Sequence, residues 1–251
     1  MLNYIFLQEV DSTNSYMKRM IDVLEPGTVI YAYTQKAGRG QKGNSWEAET
    51  GKNITFSQLI SKPRIAVNEQ FLLSEAVSLA IIDVLEEFAT GFAVKWPNDI
   101  YHGDRKIGGI LIEHSLGNEG IEHTIVGVGV NINQRFFMSG APNPVSLSTI
   151  TGENHDVEQL TFRVCERIEN YCNFDGSKEQ LMALHSRYMS KLYRYDGKPH
   201  MFVSPEGNKF EAIIEDVALD GTLTLRHTAD NTQHHYHFKE VGFVINRVRF
   251  L

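Results

Sequence analysis

The sequence contains only two cysteines among its 251 residues, and none of its apolar runs approaches the ~18 residues that a membrane-spanning helix needs. Cys165 and Cys172 lie seven positions apart in a segment with helical periodicity, about 10 Å along a helix axis, which is too far for a disulfide. With no nearby histidine pair, they also do not form the usual zinc ligand set. We therefore expect reduced thiols in a cytoplasmic protein without a membrane span.

A positive net charge is also absent. The sequence has 24 lysines and arginines against 31 aspartates and glutamates, a formal net charge of -7. A surface for nucleic acid would have to be local, so we expect no DNA-binding role. The composition, with 42% hydrophobic and 22% charged residues, is that of a globular protein, and its length predicts one large domain with a small appendage.

Hydrophobic periodicity predicts alternating strands and helices over most of the chain and only short strands in the last sixty or so residues. After Asp11, we expect a helix whose buried face carries Tyr16, Met20 and Leu24. The helix over 69–88 shows the spacing of one buried face. Strands are predicted at 4–10, 28–33, 53–60, 92–96, 106–114, 122–132, 209–217, 221–227, 234–238 and 241–249, and further helices at 157–171 and 177–190.

A glycine-rich loop follows the second predicted strand. Gly38, Gly40 and Gly43 match the spacing of a dinucleotide-binding turn, but the next strand begins too soon for a crossover helix. The loop also fails as a P-loop, because Asn44 occupies the position of the phosphate-binding lysine. Both standard nucleotide motifs are therefore excluded.

The same loop combines glycines with three cations and has no acidic residue between Thr34 and Trp46. Lys36, Arg39 and Lys42 could neutralise a phosphate or carboxylate, and glycine lets backbone N–H groups approach an anion. An anionic ligand and a solvated flexible loop are both compatible with this stretch taken alone.

Further glycines lie within two predicted neighbouring strands, close to the segment Lys-Trp-Pro-Asn-Asp at 95–99. Glycine weakens a strand interior, so pairs of glycines suggest that a ligand or another backbone lies close. Packing against the long helix is the alternative for any single position. Together, four glycines predict a slot for a flat or narrow ligand: Gly108, Gly109, Gly127 and Gly129.

These segments, taken together, resemble the biotin protein ligases. The resemblance is carried by Asp-Ser-Thr-Asn (11–14), Gln-Lys-Ala-Gly-Arg-Gly (35–40) with Trp46, Lys-Trp-Pro-Asn-Asp (95–99), Arg-Lys-Ile-Gly-Gly-Ile-Leu (105–111) and Gly-Val-Gly-Val-Asn-Ile-Asn (127–133). It implies an α+β fold, with a mixed β-sheet and flanking helices in a class II synthetase-like catalytic domain over 1–192. A small SH3-like β-barrel would follow over 193–251.

The resemblance implies an enzyme that joins biotin to ATP as biotinyl-5'-AMP, with Mg²⁺, and then passes biotin to a lysine of a biotin carboxyl carrier domain. Lys106, Arg39 and Asp99 would be catalytic, with Lys106 stabilising developing negative charge and Asp99 assisting the incoming lysine. The Mg²⁺ would be held mainly by the ATP phosphates rather than by side chains. Biotin would contact Ser12, Thr13, Asn14, Gln35, Arg39, Gly40, Gln41, Lys106, Gly108 and Gly109, and the nucleotide would contact Arg39, Lys42, Trp46, Asn98, Lys106 and Asn131.

Several of these residues could instead have a purely structural role. Trp46 could be core packing, Asp99 could form an Asx turn after Pro97, and Asn131 could cap a strand end. A metal site on His235 and His237 is a rival, although two alternate histidines are typical of a solvated strand face.

The sequence departs from the family pattern in two places. Gln41 stands where many members have arginine, which predicts a weaker grip on the adenylate phosphate, with Arg39 and Lys42 sharing that role. Only ten residues precede Asp11, so we expect no DNA-binding module. The alternatives are a lipoate or octanoate ligase of the same superfamily and a non-catalytic biotin sensor. Family members also dimerise, so a homodimer is possible.

Overall fold

The computed structural model describes residues 2–41, 43–118, 120–138 and 143–246. Its helices are α1 (Thr13–Met20), α2 (Phe71–Leu85), α3 (Leu147–Thr151), α4 (Val157–Tyr171) and α5 (Lys178–Ser190). Its strands are β1 (Asn3–Val10), β2 (Thr28–Gln35), β3 (Asn53–Ser61), β4 (Phe92–Lys95), β5 (Asp99–His102), β6 (Arg105–Gly117), β7 (Gly120–Asn131), β8 (His200–Val203), β9 (Lys209–Val217), β10 (Leu223–His227), β11 (Gln233–Tyr236) and β12 (Gly242–Phe243).

The first seven strands form one mixed sheet, as the sequence predicted. Their order is β1-β2-β3-β7-β6-β5-β4, with β1 parallel to β2 and the other neighbours antiparallel. The strands predicted at 106–114 and 122–132 form the hairpin of β6 and β7. The four-residue strand β5 was not predicted, because it is too short to show a period of its own.

Helix α2 is buried almost all round, so the predicted single buried face is wrong. Among its fifteen residues, only Ser74 and Asp83 are not buried. The helix packs on the sheet through β4 and β6 and is covered on its other side by α4 and α5. A helix covered on two sides needs apolar residues around its whole circumference, which hides a one-sided pattern.

The buried face of α1 also differs from the prediction. The helix ends at Met20, which is 37% exposed, and the fully buried apolar side chain is Met17. Ser12 caps the helix by accepting a hydrogen bond from the Ser15 N–H. This start places Thr13 and Met17, four residues apart, on the face turned to the sheet.

The last five strands form a second, antiparallel sheet in the order β11-β10-β9-β8-β12. It is attached to the first sheet through Trp96, whose Nε1 donates to the Gly221 carbonyl at 2.9 Å. Phe238 packs against the rings of Trp96 and Phe71. In the described residues, β11 and β12 each have one neighbouring strand, so closure into a barrel stays a prediction. None of the helices in the described ranges is long and apolar enough to cross a membrane.

A buried ionisable pair links α2, α5 and the second sheet. Glu75 is fully buried, and its Oε1 lies 2.8 Å from Nδ1 of His185. Asp216 on β9 lies 3.9 Å from the other ring nitrogen of His185. The hydrogen bond with Glu75 raises the pKa of His185 despite the opposing effect of burial, and burial raises the pKa of Glu75.

We expect this pair to make the fold less stable as the pH rises. A group whose pKa is raised by folding stabilises the protein below its unfolded pKa, and that contribution is lost as the pH rises through the folded pKa. For His185, the loss begins at an ordinary value near 6.5. In urea unfolding between about pH 6 and pH 8.5, the free energy of unfolding should change with a more negative pH slope in wild type than in His185→Gln. His102→Gln is the control, and equal pH slopes in wild type and His185→Gln would contradict the prediction.

Candidate active site

A cleft of about 250 Å³ opens where the start of α1, the glycine loop, β6, β7 and the turn before β5 meet. The second sheet closes one side of it through Lys239, Val241, Gly242 and Phe243. Gly108 and Asn131 lie outside its lining, and Lys42 lies outside the described residues. The structure brings the other predicted residues together on the walls of this cleft: Ser12, Thr13, Asn14, Gln35, Arg39, Gly40, Gln41, Trp46, Asn98, Asp99, Lys106 and Gly109.

One end of the cleft is a neutral polar network. Gln35 Oε1 accepts from the Thr13 N–H at 2.8 Å and from Thr13 Oγ1 at 3.2 Å. Ser57 Oγ lies 2.8 Å from Thr13 Oγ1 and 2.6 Å from Asn14 Oδ1. Because these side chains orient one another, they offer fixed donors and acceptors to a small polar ligand group.

The strand glycines give the cleft its depth. A Cβ at Gly127 would lie 2.1 Å from Asn14 Oδ1, and one at Gly129 would lie 2.4 Å from Cε2 of the Trp46 ring. Gly127 therefore makes room for the polar end, and Gly129 lets an indole lie against the sheet. Gly108 differs, because its Cβ would meet the Gly129 carbonyl at 2.9 Å, which is crowding within the sheet.

Trp46 and Asn131 carry polar atoms that the described residues leave without partners. Trp46 is half-buried and lies over Gly129, and its Nε1 has no hydrogen-bond partner within the described ranges. Asn131 donates to the Val145 carbonyl at 3.1 Å, while its Oδ1 is buried and has no partner in the same ranges. A ligand or ordered water is the usual partner of such atoms.

Three charged side chains form the other end of the cleft. Lys106 Nζ lies 2.5 Å from Asp99 Oδ1, and Lys95 Nζ lies 3.7 Å from Asp99 Oδ2. Burial lowers the pKa of Lys95, the neighbouring Lys106 lowers it further, and Asp99 opposes both effects. Two ammonium groups and one carboxylate leave a local excess of positive charge, which suits an anionic ligand. Asn98, also predicted, uses its amide to donate to the Ile110 carbonyl at 2.7 Å.

The glycine loop folds back on itself and holds Arg39 at the mouth of the cleft. Backbone bonds from Trp46 to Gly38 and from Gly40 to Asn44 close the turn. Both terminal guanidinium nitrogens of Arg39 donate to Glu113, at 3.0 and 3.1 Å. The Asn14 amide donates to the same carboxylate at 3.0 Å. Burial raises the pKa of Glu113, but the bonds from Asn14 and Arg39 outweigh it and hold the pKa below its usual value.

Sequence reasoning missed Ser57, Glu113 and Lys95 as site residues, although strand alternation could have indicated the first two. In β3, polar residues occupy positions 53, 55 and 57, between apolar neighbours at 54 and 56. In β6, Gly109, Leu111 and Glu113 share one face, and the first two line the cleft.

The histidine alternative has little structural support. His235 Nδ1 lies 3.0 Å from Thr224 Oγ1, and His237 follows the end of β11. The described part of the chain contains no group of three or more histidine, cysteine, aspartate or glutamate residues placed to hold a metal ion.

The sequence is similar to proteins of known name. An Escherichia coli (strain K12) protein, "Bifunctional ligase/repressor BirA", is 35% identical over 133 residues, which are 51% of this chain and 40% of that protein. A Paracoccus denitrificans protein, "Biotin--[acetyl-CoA-carboxylase] ligase", is 32% identical over 161 residues, 61% of this chain and 66% of that protein. The chain thus spans about two fifths of the length of the Escherichia coli protein.

The fold likeness extends further along the chain. A biotin protein ligase from Aquifex aeolicus, solved in complex with biotin and ATP, superposes with a TM-score of 0.80 at 24% identity. That match covers 98% of this chain and all of the other, and at this identity it shows the fold alone. The model of the biotin/lipoate A/B protein ligase family matches residues 6–131, about half of the sequence. The chain belongs to the biotin/lipoate A/B protein ligase family.

Proposed function

We propose that this chain is an ATP-dependent biotin protein ligase, which forms biotinyl-5'-AMP and transfers biotin to one lysine of a biotin carboxyl carrier domain. The observation that carries the proposal is a single cleft with a rigid neutral end at Thr13 and a cationic end at Lys106. A ligand with a polar ring system, a short apolar chain and a carboxylate matches both ends. The names of the relatives in Paracoccus denitrificans and Aquifex aeolicus support biotin as that ligand.

In the first step, the chain has to bring two anions together. The biotin ring system would meet Ser12, Thr13, Asn14 and Gln35, with Gly109 beside it, whereas Gly108 lies outside the cleft lining and would not contact biotin. Lys106 would leave Asp99 for the biotin carboxylate and the α-phosphate, and it would stabilise the charge that develops as pyrophosphate departs. Arg39, with Gly40 and Gln41 beside it, would move from Glu113 to the phosphates. Trp46 would stack on adenine, with Lys42, Asn98 and Asn131 also serving the nucleotide.

In this cleft, Mg²⁺ would be held mainly by the ATP phosphates rather than by a set of protein ligands. The acidic side chain at the cationic end, Asp99, is engaged by two lysines, and no described acidic cluster could form a metal site. Asn131 Oδ1 is a buried oxygen that could add one protein contact. When bound, Mg²⁺ supplies neutralisation of phosphate charge.

In the second step, Asp99 would hold and deprotonate the acceptor amine. Its carboxylate lies within the cleft, at the end of the slot where the acyl-phosphate group would lie. Holding the amine near the acyl carbon makes the attack effectively intramolecular, which is the main gain available to such an enzyme.

Exchange of labelled pyrophosphate into ATP tests the first step. With Mg²⁺ present, we expect exchange that depends on biotin and is at least tenfold weaker with lipoate or octanoate. Exchange driven by lipoate or octanoate would favour the ligase alternative. Biotin binding without any exchange would favour the sensor.

We expect Gln41→Arg to retain the adenylate better than wild type. Gln41 lines the cleft within the glycine loop, and it offers no charge where arginine would add a cation beside the phosphate. After single-turnover adenylate formation, free biotinyl-5'-AMP should appear several times more slowly with Gln41→Arg. Gln70→Arg, on the far side of an adjoining cavity, controls for added charge. Leakage from wild type no faster than from Gln41→Arg would contradict this prediction.

Four further features belong to the proposal. We propose a catalytic domain over 1–192 and an SH3-like domain over 193–251, and the turn to short strands after α5 supports this division. The free, buried Cys165 and Cys172 fit a cytoplasmic location. The carrier of acetyl-CoA carboxylase or a related carboxylase is the proposed partner. The possible homodimer stays a prediction that sedimentation velocity would test.

A further inference from the structure

Lys95 connects the catalytic cleft to the second sheet. It ends β4 and pairs in register with Asp99, the first residue of β5. Its ammonium lies 3.7 Å from Asp99 Oδ2 and, on its other side, 5.4 Å from the ring centroid of Tyr101 and 5.1 Å from that of Phe243. Lys95 thus has a carboxylate on one side and two aromatic rings on the other.

Phe243 belongs to β12 of the second sheet and is held firmly there. It pairs with Phe202 on β8, and the two ring centroids lie 5.0 Å apart. Tyr193 approaches the same ring at 6.1 Å. The next carbonyl, of Val244, accepts a hydrogen bond from Arg194 at 3.2 Å. One of the two rings beside Lys95 therefore comes from a strand about 150 residues away in the sequence, and the other, Tyr101, from the neighbouring strand β5.

The two lysines around Asp99 are not equivalent. Both lysines and Asp99 line the cleft, but Lys106 approaches Oδ1 at 2.5 Å and lies beside Gly109. Lys95 approaches Oδ2 at a longer distance and is kept in place by two aromatic faces, contacts that Lys106 does not make in the described structure. A cation is attracted to the face of an aromatic ring, and more strongly when the pair is shielded from water. When an anion attracts Lys106 away, Lys95 stays with Asp99.

Resting on the proposed ligase function, we propose that Lys95 is a positioning residue for the transfer step, and that Phe243 of the second sheet fixes it. Lys95 holds Asp99 Oδ2, which leaves Oδ1 to face the acceptor amine once Lys106 has moved. Asp99 then takes one proton from the acceptor ammonium. The nitrogen forms its bond to the acyl carbon, the bond from that carbon to the phosphate oxygen breaks, AMP leaves, and the second amine proton passes to solvent.

Two measurements on the full chain separate this role from a structural one. The first is biotin-dependent pyrophosphate exchange, and the second is single-turnover transfer from preformed biotinyl-5'-AMP to a carrier domain. Lys95→Met, which keeps the length of the side chain, should lower the transfer rate about 10–100-fold and should lower adenylate formation by a factor at least about five times smaller, because Lys106 still supplies a cation in the first step. The KM for the carrier should change less than about threefold, because Lys95 acts on the rate constant through Asp99.

Variants of Phe243 test the aromatic support. Phe243→Leu should lower transfer about fivefold, a larger factor than for exchange, and Phe243→Tyr should restore most of the transfer rate because the ring remains. The double variant of Lys95→Met and Phe243→Leu should have a transfer rate within about twofold of that of Lys95→Met alone. The matched control is Phe210→Leu in the same sheet, since that ring stacks on His227 and not on Lys95.

Three outcomes would overturn the inference. In the first, Lys95→Met lowers exchange and transfer by the same factor. In the second, the factors by which Lys95→Met and Phe243→Leu lower transfer multiply in the double variant. In the third, Phe210→Leu lowers transfer as much as Phe243→Leu does. Exchange by wild type with lipoate instead of biotin would overturn the substrate proposal alone, and the same variants would then be measured with lipoyl-AMP. A wild type that activates neither acid would overturn both proposals.

Discussion

Lys106→Ala is expected to lower the rate of adenylate formation at least about 10³-fold while the fold survives. The Lys106 ammonium contacts Asp99 at the cationic end of the cleft, where the carboxylate of biotin and the α-phosphate of ATP would meet. Without that charge, two anions would have to approach each other beside a carboxylate that has lost its nearest partner. The rate of biotin-dependent pyrophosphate exchange at saturating substrates measures the effect.

The control for Lys106→Ala is Lys209→Ala, an exposed lysine on β9 of the second sheet. It should leave exchange unchanged, and both variants should unfold within a few degrees of wild type. Near-normal exchange in Lys106→Ala would remove this residue from the centre of the reaction. A large fall in the thermal midpoint would mean that the loss of activity came from the fold, and Lys106→Met would then replace alanine.

Adding single methyl groups to the slot should separate the two substrates. Gly129→Ala would place its Cβ 2.4 Å from the Trp46 ring, so the indole must move off the sheet, and the KM for ATP should rise about tenfold or more. Gly127→Ala would place its Cβ 2.1 Å from Asn14 Oδ1, so the polar end must rearrange, and the KM for biotin should rise by a similar factor.

Each of these two variants is the control for the other, because both add one Cβ to the same strand two residues apart. Gly129→Ala should affect biotin binding less than threefold, and Gly127→Ala should affect ATP less than threefold. Equilibrium binding of biotin without ATP checks the biotin arm separately from turnover. If both variants raise both constants equally, the assignment of the two ends of the cleft is wrong.

The sequence predicted the elements of the site well where local patterns carry the information. Gly127 and Gly129 share one face of β7 and Gly109 lines the same cleft, whereas the predicted Gly108 lies on the other face of β6. The motif spacing places Lys106 and Asp99 at the ends of neighbouring strands. Prediction and structure agree for the helices α4 and α5 and for the strands of the β6–β7 hairpin. The periodicity and the capping residues that determine these elements lie within a few residues of each other.

Long-range contacts could not be predicted in the same way. Arg39 meets Glu113, and Lys95 meets Phe243, across 74 and about 150 positions, respectively. No local period records which side chain on a distant strand an arginine or lysine will meet. The same limit explains α2, where the pattern shows apolar residues but not the second layer of helices that buries them.

The contact between Lys95 and Phe243 joins the second sheet to the cleft. Its strands were predicted as a separate appendage, yet Phe243 lines the cleft and Trp96 bonds to the Gly221 carbonyl. The catalytic cleft is therefore built from both sheets. On the proposed role of Lys95, a change in the second sheet would alter the transfer step without touching either substrate.

Intact mass spectrometry of a carrier domain tests the central claim most directly. The chain is incubated with ATP, Mg²⁺, biotin and a biotin carboxyl carrier domain, beside a carrier whose acceptor lysine is changed to arginine. We predict the mass gain of one biotinyl group on the unaltered carrier, none on the altered carrier, and none when ATP is omitted. No gain with biotin, together with modification when lipoate or octanoate replaces it, would contradict the account.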